Sequence, residues 1–357
     1  MLELIFAFFA LLGAIDKIAG NKFRLGTAFE KGLMTAGPLI LSMTGMIVLS
    51  PVLADALSGA LVPLCGKVGI DPSVLSGFFP VDAGGASMAY NLSEDAPMRA
   101  YHGIIVASML GATICPAIPL SLQMTDKKIH PDVLTGLLCG IATIPLGCMV
   151  AGLFVGCAVL PLLVNSIPLL VISGLICWGL LKKPQFVVRL FGWIGKLLMA
   201  FVLFGLLVGM LAQFGDIHIF KNAAPLSESF VIVGNIAVIL AGVFPLLEIL
   251  SRLLKKPMAA LAKRIGVTDN AVLGFMTNLA NSIPVFSMLE DMDKKGRILN
   301  MAFAVSAGYV LGDHLAFILS YDRSYALPMV LGKLIGGLAA IALGLLICKK
   351  DSKKPVA

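Results

Sequence analysis

Residues 77–90 read Gly-Phe-Phe-Pro-Val-Asp-Ala-Gly-Gly-Ala-Ser-Met-Ala-Tyr, an apolar stretch with a single carboxylate, Asp82. Pro80 and the Gly84-Gly85 pair prevent a plain helix here, because proline lacks an N–H and glycine favours irregular backbone. Broken backbone at membrane depth persists only where protein or a water-filled cavity satisfies the freed N–H and C=O groups. An ionisable residue in such a place is a functional candidate. We therefore take Asp82 as the centre of a predicted site.

The rest of the chain has the composition of a polytopic membrane protein. Of its 357 residues, 59% are hydrophobic and only 13% are charged, whereas ordinary soluble domains carry about a quarter charged residues. Apolar runs of about 18 to 25 residues match a hydrocarbon core about 30 Å thick. The predicted fold class is therefore all-α, with nine transmembrane helices. They cover residues 2–19, 33–53, 100–122, 133–157, 159–181, 189–213, 228–250, 297–319 and 325–347.

Charge and motif content argue against several other classes of protein. The net charge is +7, but the basic residues lie in short loops and in the C-terminal tail, as the positive-inside rule predicts, so no nucleic-acid partner is needed. The first span lacks the basic start and the cleavage site of a signal peptide, and we expect it to remain as a transmembrane helix. Nucleotide-binding, zinc-protease and serine-hydrolase motifs do not occur in the sequence. We expect no enzymatic activity, no cofactor and no metal.

An internal repeat divides the chain. A shift of 197 positions superposes Gly77-Phe78 on Gly274-Phe275 and aligns four further glycine pairs without a gap. Residues 55–71 hold one basic side chain, whereas their counterparts 252–268 hold five. Since loops rich in Lys and Arg stay in the cytoplasm, corresponding loops face opposite sides of the membrane. This pattern is typical of an inverted repeat, which is a common way to build transporters.

The same charge rule orients two irregular segments, 72–90 and 269–288. If both are re-entrant hairpins, one from the outside and one from the inside, every strongly basic loop and the tail lie in the cytoplasm, with the N-terminus outside. The amphipathic stretches 55–68 and 252–265 are expected to lie along the membrane interface. The predicted organisation is a first repeat at 1–158, a linking span and cytoplasmic loop at 159–188, a second repeat at 189–347 and a basic cytoplasmic tail at 348–357.

The second hairpin supplies amides and a hydroxyl where the first supplies Asp82. Asn278, Asn281 and Ser282 lie around Pro284 in this segment. Two hairpins that meet from opposite sides would bring these groups near Asp82 at mid-depth, where inverted-repeat transporters bind their substrates. The alternative is that the polar groups only cap broken helices.

A second polar cluster contains Tyr309, Asp313 and His314, in a predicted helix that is otherwise apolar. Adjacent residues point about 100° apart on a helix, so Asp313 and His314 cannot both be ligands on one face, although Tyr309 can share a face with one of them. The pair is either a structural pair near the outer end of the helix, or a substrate contact or proton relay. A histidine that titrates near neutral pH suits the second role.

Three stretches resemble the bacterial ethanolamine utilisation permease family. They are Met1-Leu2-Glu3 through Gly13-Ala14-Ile15-Asp16, the stretch from Gly77 to Tyr90, and Leu311-Gly312-Asp313-His314-Leu315-Ala316-Phe317. The resemblance covers nearly the whole chain, and the Gly-Asp-His-Leu-Ala-Phe run is its most specific part. It implies a carrier of ethanolamine in the inner membrane that serves a cytoplasmic degradation pathway.

Ethanolamine fits the predicted site. It is a small primary ammonium with a hydroxyl, so its site needs a carboxylate, neutral donors and acceptors, and an aromatic face. Asp82 would bind the ammonium, and Asn278, Asn281 and Ser282 would hold the hydroxyl and the spare ammonium protons. Phe78, Phe79 or Phe275 would shield the site.

Two other functions remain open at this stage. A facilitative channel for small amines would need a dry apolar pore and no obligatory carboxylate. A membrane-embedded enzyme would need paired catalytic groups, for which Asp313 and His314 are the only candidates. The sequence leaves the coupling ion open, and a homodimer is expected by analogy with elevator-like carriers.

Overall fold

The structure is a computed structural model that describes residues 2–351, and its regular elements in this range are helical, without a strand. Within these described residues, seven helices are long and apolar enough to cross a membrane. They are Leu25–Ala60, Ala96–Gln123, Lys127–Phe154, Val159–Lys182, Pro184–Gly215, Leu226–Leu254 and Arg323–Lys350. The protein is therefore an all-α, multi-pass membrane protein. The end of the predicted basic tail, with Lys353 and Lys354, lies outside the described residues.

The α-helices are numbered in chain order. They are α1 Leu2–Ile18, α2 Leu25–Met34, α3 Ala36–Val68, α4 Ala86–Leu92, α5 Ala96–Ala100, α6 Ile118–Gln123, α7 His130–Phe154, α8 Val159–Lys182, α9 Pro184–Gly215, α10 Leu226–Ile265, α11 Asp269–Ala280, α12 Ile283–Met288, α13 Lys294–Ala307, α14 Asp313–Tyr321 and α15 Ala326–Asp351.

Two of the predicted spans are not long helices in the structure. The span predicted at 2–19 is α1, which has 17 residues. The prediction of one continuous helix over 297–319 is wrong, because the backbone leaves the helical conformation between α13 and α14. Gly308 has ψ 142° and Tyr309 has the left-handed φ of 61°. Asp313 is consequently the first residue of α14, beside the break, and not a residue inside a continuous helix.

The span predicted at 100–122 is helical but unusually wound. Tyr101–Gly111 and Thr113–Ala117 form wide π-type turns, and Pro116 lies in the second of them. Wide turns of this kind are frequent at functional sites. The whole stretch from Tyr101 to Gly111 is buried, so it forms the wall against which the neighbouring segments pack.

The two amphipathic stretches predicted along the interface continue the preceding helices. Residues 55–68 form the end of α3, which has 33 residues, and residues 252–265 form the end of α10, which has 40. Helices of these lengths span about 50 and 60 Å, which is longer than a hydrocarbon core of about 30 Å. Each helix contains two prolines beyond its first turn, and proline is the usual cause of a helix bend.

Glycines let the long helices approach closely. A Cβ added to Gly45 of α3 would lie 1.6 Å from the carbonyl oxygen of Val202 in α9, and one added to Gly242 of α10 would lie 2.1 Å from that of Phe6 in α1. Gly147 of α7 is similarly close to the backbone of α15. Small residues at such crossings are the usual basis of helix packing in membranes. This packing fixes α15 and α13 beside α7.

Candidate functional site

Residues 72–92 form two helical pieces separated by an extended break. The 3₁₀ turns of Pro72–Phe78 end at Phe79, which has an extended backbone (φ −100°, ψ 147°), and the helix resumes at Val81. The side chain of Ser93 donates to Asp71 at 2.7 Å, so the two ends of this segment lie together. Asp82 is the second residue after the break, half-buried in the turn that precedes α4.

The break packs closely against the wide-turned helix. A Cβ on Gly111 would lie 2.0 Å from the carbonyl oxygen of Phe79, and one on Gly85 would lie 2.6 Å from the Cβ of Ala107. Gly84 has φ 116°, a conformation that only glycine adopts readily. The glycine pair that follows Asp82 therefore allows both the irregular turn and the close contact.

Residues 269–288 form a second pair of helices, α11 and α12, with Asn281 and Ser282 between them. The backbone N–H of Thr268 donates to Asp293 at 2.8 Å, so the two ends of this segment also lie together. Asn281 accepts a hydrogen bond from the N–H of Ile283 at 2.9 Å. This bond satisfies one of the free N–H groups at the start of α12.

The second segment is joined to the break between α13 and α14. The N–H of Tyr309 donates to the carbonyl of Asn278 at 2.9 Å, and that of Leu311 donates to the carbonyl of Leu279 at 2.8 Å. A Cβ on Gly312 would lie 1.9 Å from the carbonyl oxygen of Ala280. These contacts satisfy backbone groups that the two breaks leave free. They also place Asp313 beside the tip of the second segment.

Charged groups from three elements meet at these breaks. Asn281 Nδ2 donates to Asp313 Oδ2 at 3.0 Å. Coulomb interactions couple Asp82 both to Asp313 and to Lys333 of α15. Lys333 is only 1% exposed, and its Nζ lies 3.2 Å from Nδ1 of His314. Lys31 of α2, from outside the breaks, also acts on Asp313. Two carboxylates and two ammonium groups therefore belong to one electrostatic cluster.

A cavity of about 520 Å³ opens beside this cluster. Its polar and charged lining includes Asn281, Asp313, Lys31 and Glu248. The other lining residues come from α2, α3, α10, α11 and α12. They are Ala28, Thr35, Pro38, Leu39, Phe244, Leu247, Ser251, Leu273, Met276, Thr277, Ala280 and Pro284. A small cation in this cavity can reach the Asp313 carboxylate and the Asn281 amide.

The residues that the sequence singled out divide into two groups in the structure. Asp82, Asp313 and Asn281 belong to the electrostatic cluster or the cavity. Asn278 is fully buried, and its amide group points to Asn300, with distances of 3.3 and 3.4 Å. Ser282 is 1% exposed, and its hydroxyl has no hydrogen-bond partner among the described residues.

The aromatic candidates and His314 lie away from the cavity lining. His314 is buried and stacks on the ring of Tyr309 with centroids 5.0 Å apart. Its Nδ1 faces Lys333, so Asp313 and His314 point to different partners, as their helical spacing predicts. Phe78 lines a different, apolar cavity of about 580 Å³ between the first segment and helices α8 and α9. It therefore does not shield the cavity that Asp313 lines.

Lys333 is the residue that the sequence reasoning missed. It stands alone in an apolar run, Val330-Leu331-Gly332-Lys333-Leu334-Ile335, well inside a predicted span. An ionisable residue inside a span is a functional candidate by the same argument that selected Asp82. Its position in the run was therefore a signal that the sequence contained.

An all-helical, multi-pass membrane protein whose helices break around ionisable residues beside a shared cavity has the construction of a transporter. The chain belongs to the family described as Ethanolamine utilisation protein, EutH, whose family model matches residues 1–347. This membership confirms the resemblance seen in the sequence.

Curated relatives match over almost their whole length. The chain is 41% identical to a "Probable ethanolamine permease EutH" of Listeria monocytogenes, over 97% of this chain and 93% of the relative. It is 32% identical to the protein of the same name from Salmonella typhimurium, over 99% and 96%. It is also 33% identical to the "Uncharacterized protein YxeR" of Bacillus subtilis, over 95% and 92%. Permeases are transporters rather than enzymes. No solved structure matches the chain.

Proposed function

We propose that this protein is a secondary transporter that imports ethanolamine, as its monovalent cation, across the bacterial inner membrane. The observation that carries the proposal is the Asp313 carboxylate, which lies at a helix break and lines a cavity together with Asn281. A second carboxylate, Asp82, lies at the break of the first segment. The names of the relatives supply the substrate. A carboxylate about 4 Å from the ammonium would supply on the order of 4 kcal/mol of gross attraction at an effective dielectric constant of 20.

We further propose nine crossings, with residues 72–90 and 269–288 as re-entrant hairpins in an inverted repeat. Contacts between loops support this topology, because each contact joins two loops that the topology assigns to the same side of the membrane. On the outer side, Asn222 donates to Asp55 and Arg323 pairs with Glu3. On the inner side, Arg297 pairs with Asp132. The first repeat would cover 1–158, the linking span and loop 159–188, the second repeat 189–347 and the basic tail 348–357.

Helix lengths support a site at mid-depth. Helix α11 has 12 residues and would rise from the inner side, whereas α14 has 9 and would run on to the outer side. At 1.5 Å per residue these lengths are about 18 and 13 Å, and their sum matches a core about 30 Å thick. Asn281 and Asp313 meet where the two helices meet. The hydrogen bond between them would therefore lie near the middle of the membrane.

The cavity would open to the cytoplasm in this topology. Lys31, Glu248 and Ser251 line it, and the loops beside them carry the basic residues that the positive-inside rule places in the cytoplasm. The described state would then be inward-open. In this state the substrate ammonium would contact Asp313, and Asn281 would offer its amide to the hydroxyl.

Transport would proceed by movement of the unit that carries the two hairpins against a scaffold. The close glycine contacts of α3 with α9 and of α10 with α1 support a rigid scaffold made of these helices. The hairpins pack against the wide-turned helix and α13. The first hairpin also contacts the scaffold helix α3, where Asn91 Nδ2 donates to Ser50 Oγ at 2.8 Å, and this contact would have to slide during the movement. A homodimer through the scaffold remains part of the proposal by analogy with elevator-like carriers.

Uptake of radiolabelled ethanolamine into proteoliposomes tests this function. We expect Asp82→Asn and Asp313→Asn to lower uptake by about 100-fold, because each removes a carboxylate that would face the cation at low dielectric. Asp216→Asn is the matched control. Asp216 is an exposed residue with φ 52°, a conformation that asparagine tolerates well.

Two outcomes would refute parts of the proposal. Normal uptake by folded Asp82→Asn protein would favour the channel, which needs no carboxylate. Absence of stimulation by unlabelled ethanolamine on the opposite side of the membrane would also favour a channel, because exchange of substrate across the membrane is a property of carriers.

A further inference from the structure

The apolar cavity of about 580 Å³ between the first segment, α8 and α9 is separate from the cavity that Asp313 lines. Apart from Lys182 and Lys183, its lining residues are aliphatic or aromatic, with one glycine and one cysteine. None of the described carboxylates lines it. Its volume is typical of a small-molecule site. The ligand that fits such a lining is an apolar molecule with a negatively charged end.

The cavity has the depth of one leaflet of the bilayer. Along α8 its lining extends from Ile172 to Lys182, which are ten residues apart, or about 15 Å at 1.5 Å per residue. Half of a hydrocarbon core about 30 Å thick is also about 15 Å. The two lysines lie at one end of the cavity, because Lys182 is the last residue of α8 and Lys183 follows it. An acyl chain therefore matches the cavity in length.

Both tryptophans of the chain mark the level of the lysines in the membrane. Trp178 lines the cavity one turn before Lys182, and Trp193 lies near the start of α9. Their side chains are 63% and 60% exposed. Exposed tryptophans of membrane proteins are enriched where the hydrocarbon core meets the headgroups. Lys182 and Lys183 thus lie at the level of the headgroups, while the apolar lining lies in the hydrocarbon core.

The charge around this end of the cavity is of one sign. Between Asp132 and Asp216 the sequence contains no acidic residue, and residues 182–196 contain four basic ones, Lys182, Lys183, Arg189 and Lys196. A neighbouring cavity on another face of α9 is lined by Arg189 and Lys196, again with no carboxylate among its described lining residues. Basic pockets between transmembrane helices on the cytoplasmic side bind anionic lipid headgroups, and the proposed topology places this loop in the cytoplasm.

The same charges disfavour a second copy of the chain as the occupant. In a two-fold dimer each copy would present the same surface to the other. A contact through this face would therefore bring Lys182 and Lys183 of the two copies together, and like charges that face each other across an interface are unfavourable. A phospholipid with an anionic headgroup supplies the opposite charge together with the chain.

We propose that this cavity binds an anionic phospholipid of the inner leaflet, with its headgroup on Lys182 and Lys183 and an acyl chain that reaches Phe79. The inference goes beyond the proposed function and does not depend on the substrate. Phe79 is the extended residue at the break of the first segment, and Asp82 follows three residues later. The bound chain would thus pack directly against that break.

Thermal stabilisation of the purified protein in detergent tests the charged end of the site. The probes are phosphatidylglycerol, phosphatidylcholine with the same acyl chains, and glycerol 1-phosphate, which carries the charge without a chain. We expect phosphatidylglycerol to stabilise wild type at a concentration about 10-fold or more below that of phosphatidylcholine. Glycerol 1-phosphate should have no effect.

The double variant Lys182→Gln with Lys183→Gln should bind phosphatidylglycerol about 30-fold more weakly, because each lysine near anionic lipid contributes attraction. Lys22→Gln with Lys128→Gln is the matched control. It removes two charges from exposed residues that the proposed topology also places in the cytoplasm and that do not line the cavity. Equal affinity of wild type for the two lipids would overturn the inference, as would a preference that survives loss of Lys182 and Lys183. Stabilisation by glycerol 1-phosphate would reduce the site to a phosphate site without a lipid.

A second pair of variants tests the apolar part. Leu175 lines the cavity and is 57% exposed, whereas Leu170 of the same helix is 50% exposed and does not line it. Leu175→Trp should fill the cavity and weaken binding of phosphatidylglycerol by about 10-fold, and Leu170→Trp should leave it unchanged. Equal binding by both variants would overturn the inference. A dimer without bound phosphatidylglycerol in native mass spectrometry would also overturn it, because a second copy would then cover this face.

Discussion

The two broken segments, 72–92 and 269–288, are joined at their ends in similar ways but differ in how fully they are covered. No side chain from residue 71 to residue 90 is exposed, whereas Leu273, Ile283 and Pro284 of the second segment are. The covered segment carries Asp82, and the open one carries the Asn281 amide that lines the cavity. Asp82 thus lies on the covered segment, whereas the Asn281 amide, which donates to Asp313, lies on the more accessible one.

A second difference lies in the ties of each segment to the rest of the molecule. The hydroxyl of Tyr90 donates to Asp322, just after α14, at 2.7 Å, and the Arg99 guanidinium lies 4.4 Å from the centroid of the Tyr90 ring. The second segment is held by backbone bonds to the neighbouring break and by Asn300 of α13, whose Nδ2 donates to the carbonyl of Ala271 at 2.8 Å. In the proposed topology the first tie closes the outer side, and the open segment gives access from the inner side.

The largest effect is expected where each break touches a glycine of a neighbouring element. A Cβ on Gly111 or Gly312 would fall within about 2 Å of a carbonyl oxygen at a break. Because backbone rather than a flexible side chain is in the way, Gly111→Ala and Gly312→Ala should each cost about 3 kcal/mol or more. The measurement is the yield of monodisperse protein and its melting temperature in detergent.

Gly174→Ala is the control for these substitutions, since nothing lies within 4 Å of a Cβ at Gly174 in α8. It should be neutral or slightly stabilising, because alanine is the better helix former. Stable protein with full uptake from either break variant would show that the packing at that break is looser than the structure indicates. If only one of the two variants loses yield or melting temperature, the two breaks differ in how tightly they are packed.

The sequence predicted the break in the first segment, but not the break between α13 and α14. Pro80 and two glycines mark the first break, and the lone carboxylate beside them marks Asp82 as unusual. The break at 308–312 was missed because residues 297–319 form an apolar run of the length of a span, and no proline in it marks an interruption.

The meeting of Asn281 with Asp313 could not be read from the sequence. It depends on how the second segment folds back against α14, and no local pattern encodes that register. Lys333 was within reach of the sequence argument, but its partners, Ser108 and His314, come from two other elements. The class of protein thus followed from composition, whereas the geometry of the site required the tertiary structure.

A smaller effect is expected when the hydrogen bond between Tyr90 and Asp322, which holds the first segment, is removed. Tyr90→Phe removes one hydrogen bond to a carboxylate at a half-buried place, which should cost about 1 to 2 kcal/mol. The described state should lose population to other states by a factor of about 5 to 30. Hydrogen exchange should accelerate in α4 and remain unchanged in α11.

The control for Tyr90→Phe is Tyr325→Phe, because the hydroxyl of Tyr325 forms no hydrogen bond among the described residues. It removes the same group from a nearby tyrosine and should leave exchange in α4 unchanged. Equal acceleration in α4 and α11 would mean that the two segments open as one unit. The difference between the two segments would then be one of exposure alone.

The smallest effect separates two asparagines within the open segment. Asn281→Ser keeps an acceptor for the N–H of Ile283 but loses the bond to Asp313. Loss of one hydrogen bond to a charged group that the substrate would also contact should raise KM for ethanolamine by about 3- to 10-fold, with little change in melting temperature. Asn278→Ser, whose amide is buried against Asn300, should lower the melting temperature and leave KM unchanged. If both variants change only stability, Asn281 is a helix cap like its neighbour. The binding role would then belong to the two carboxylates alone.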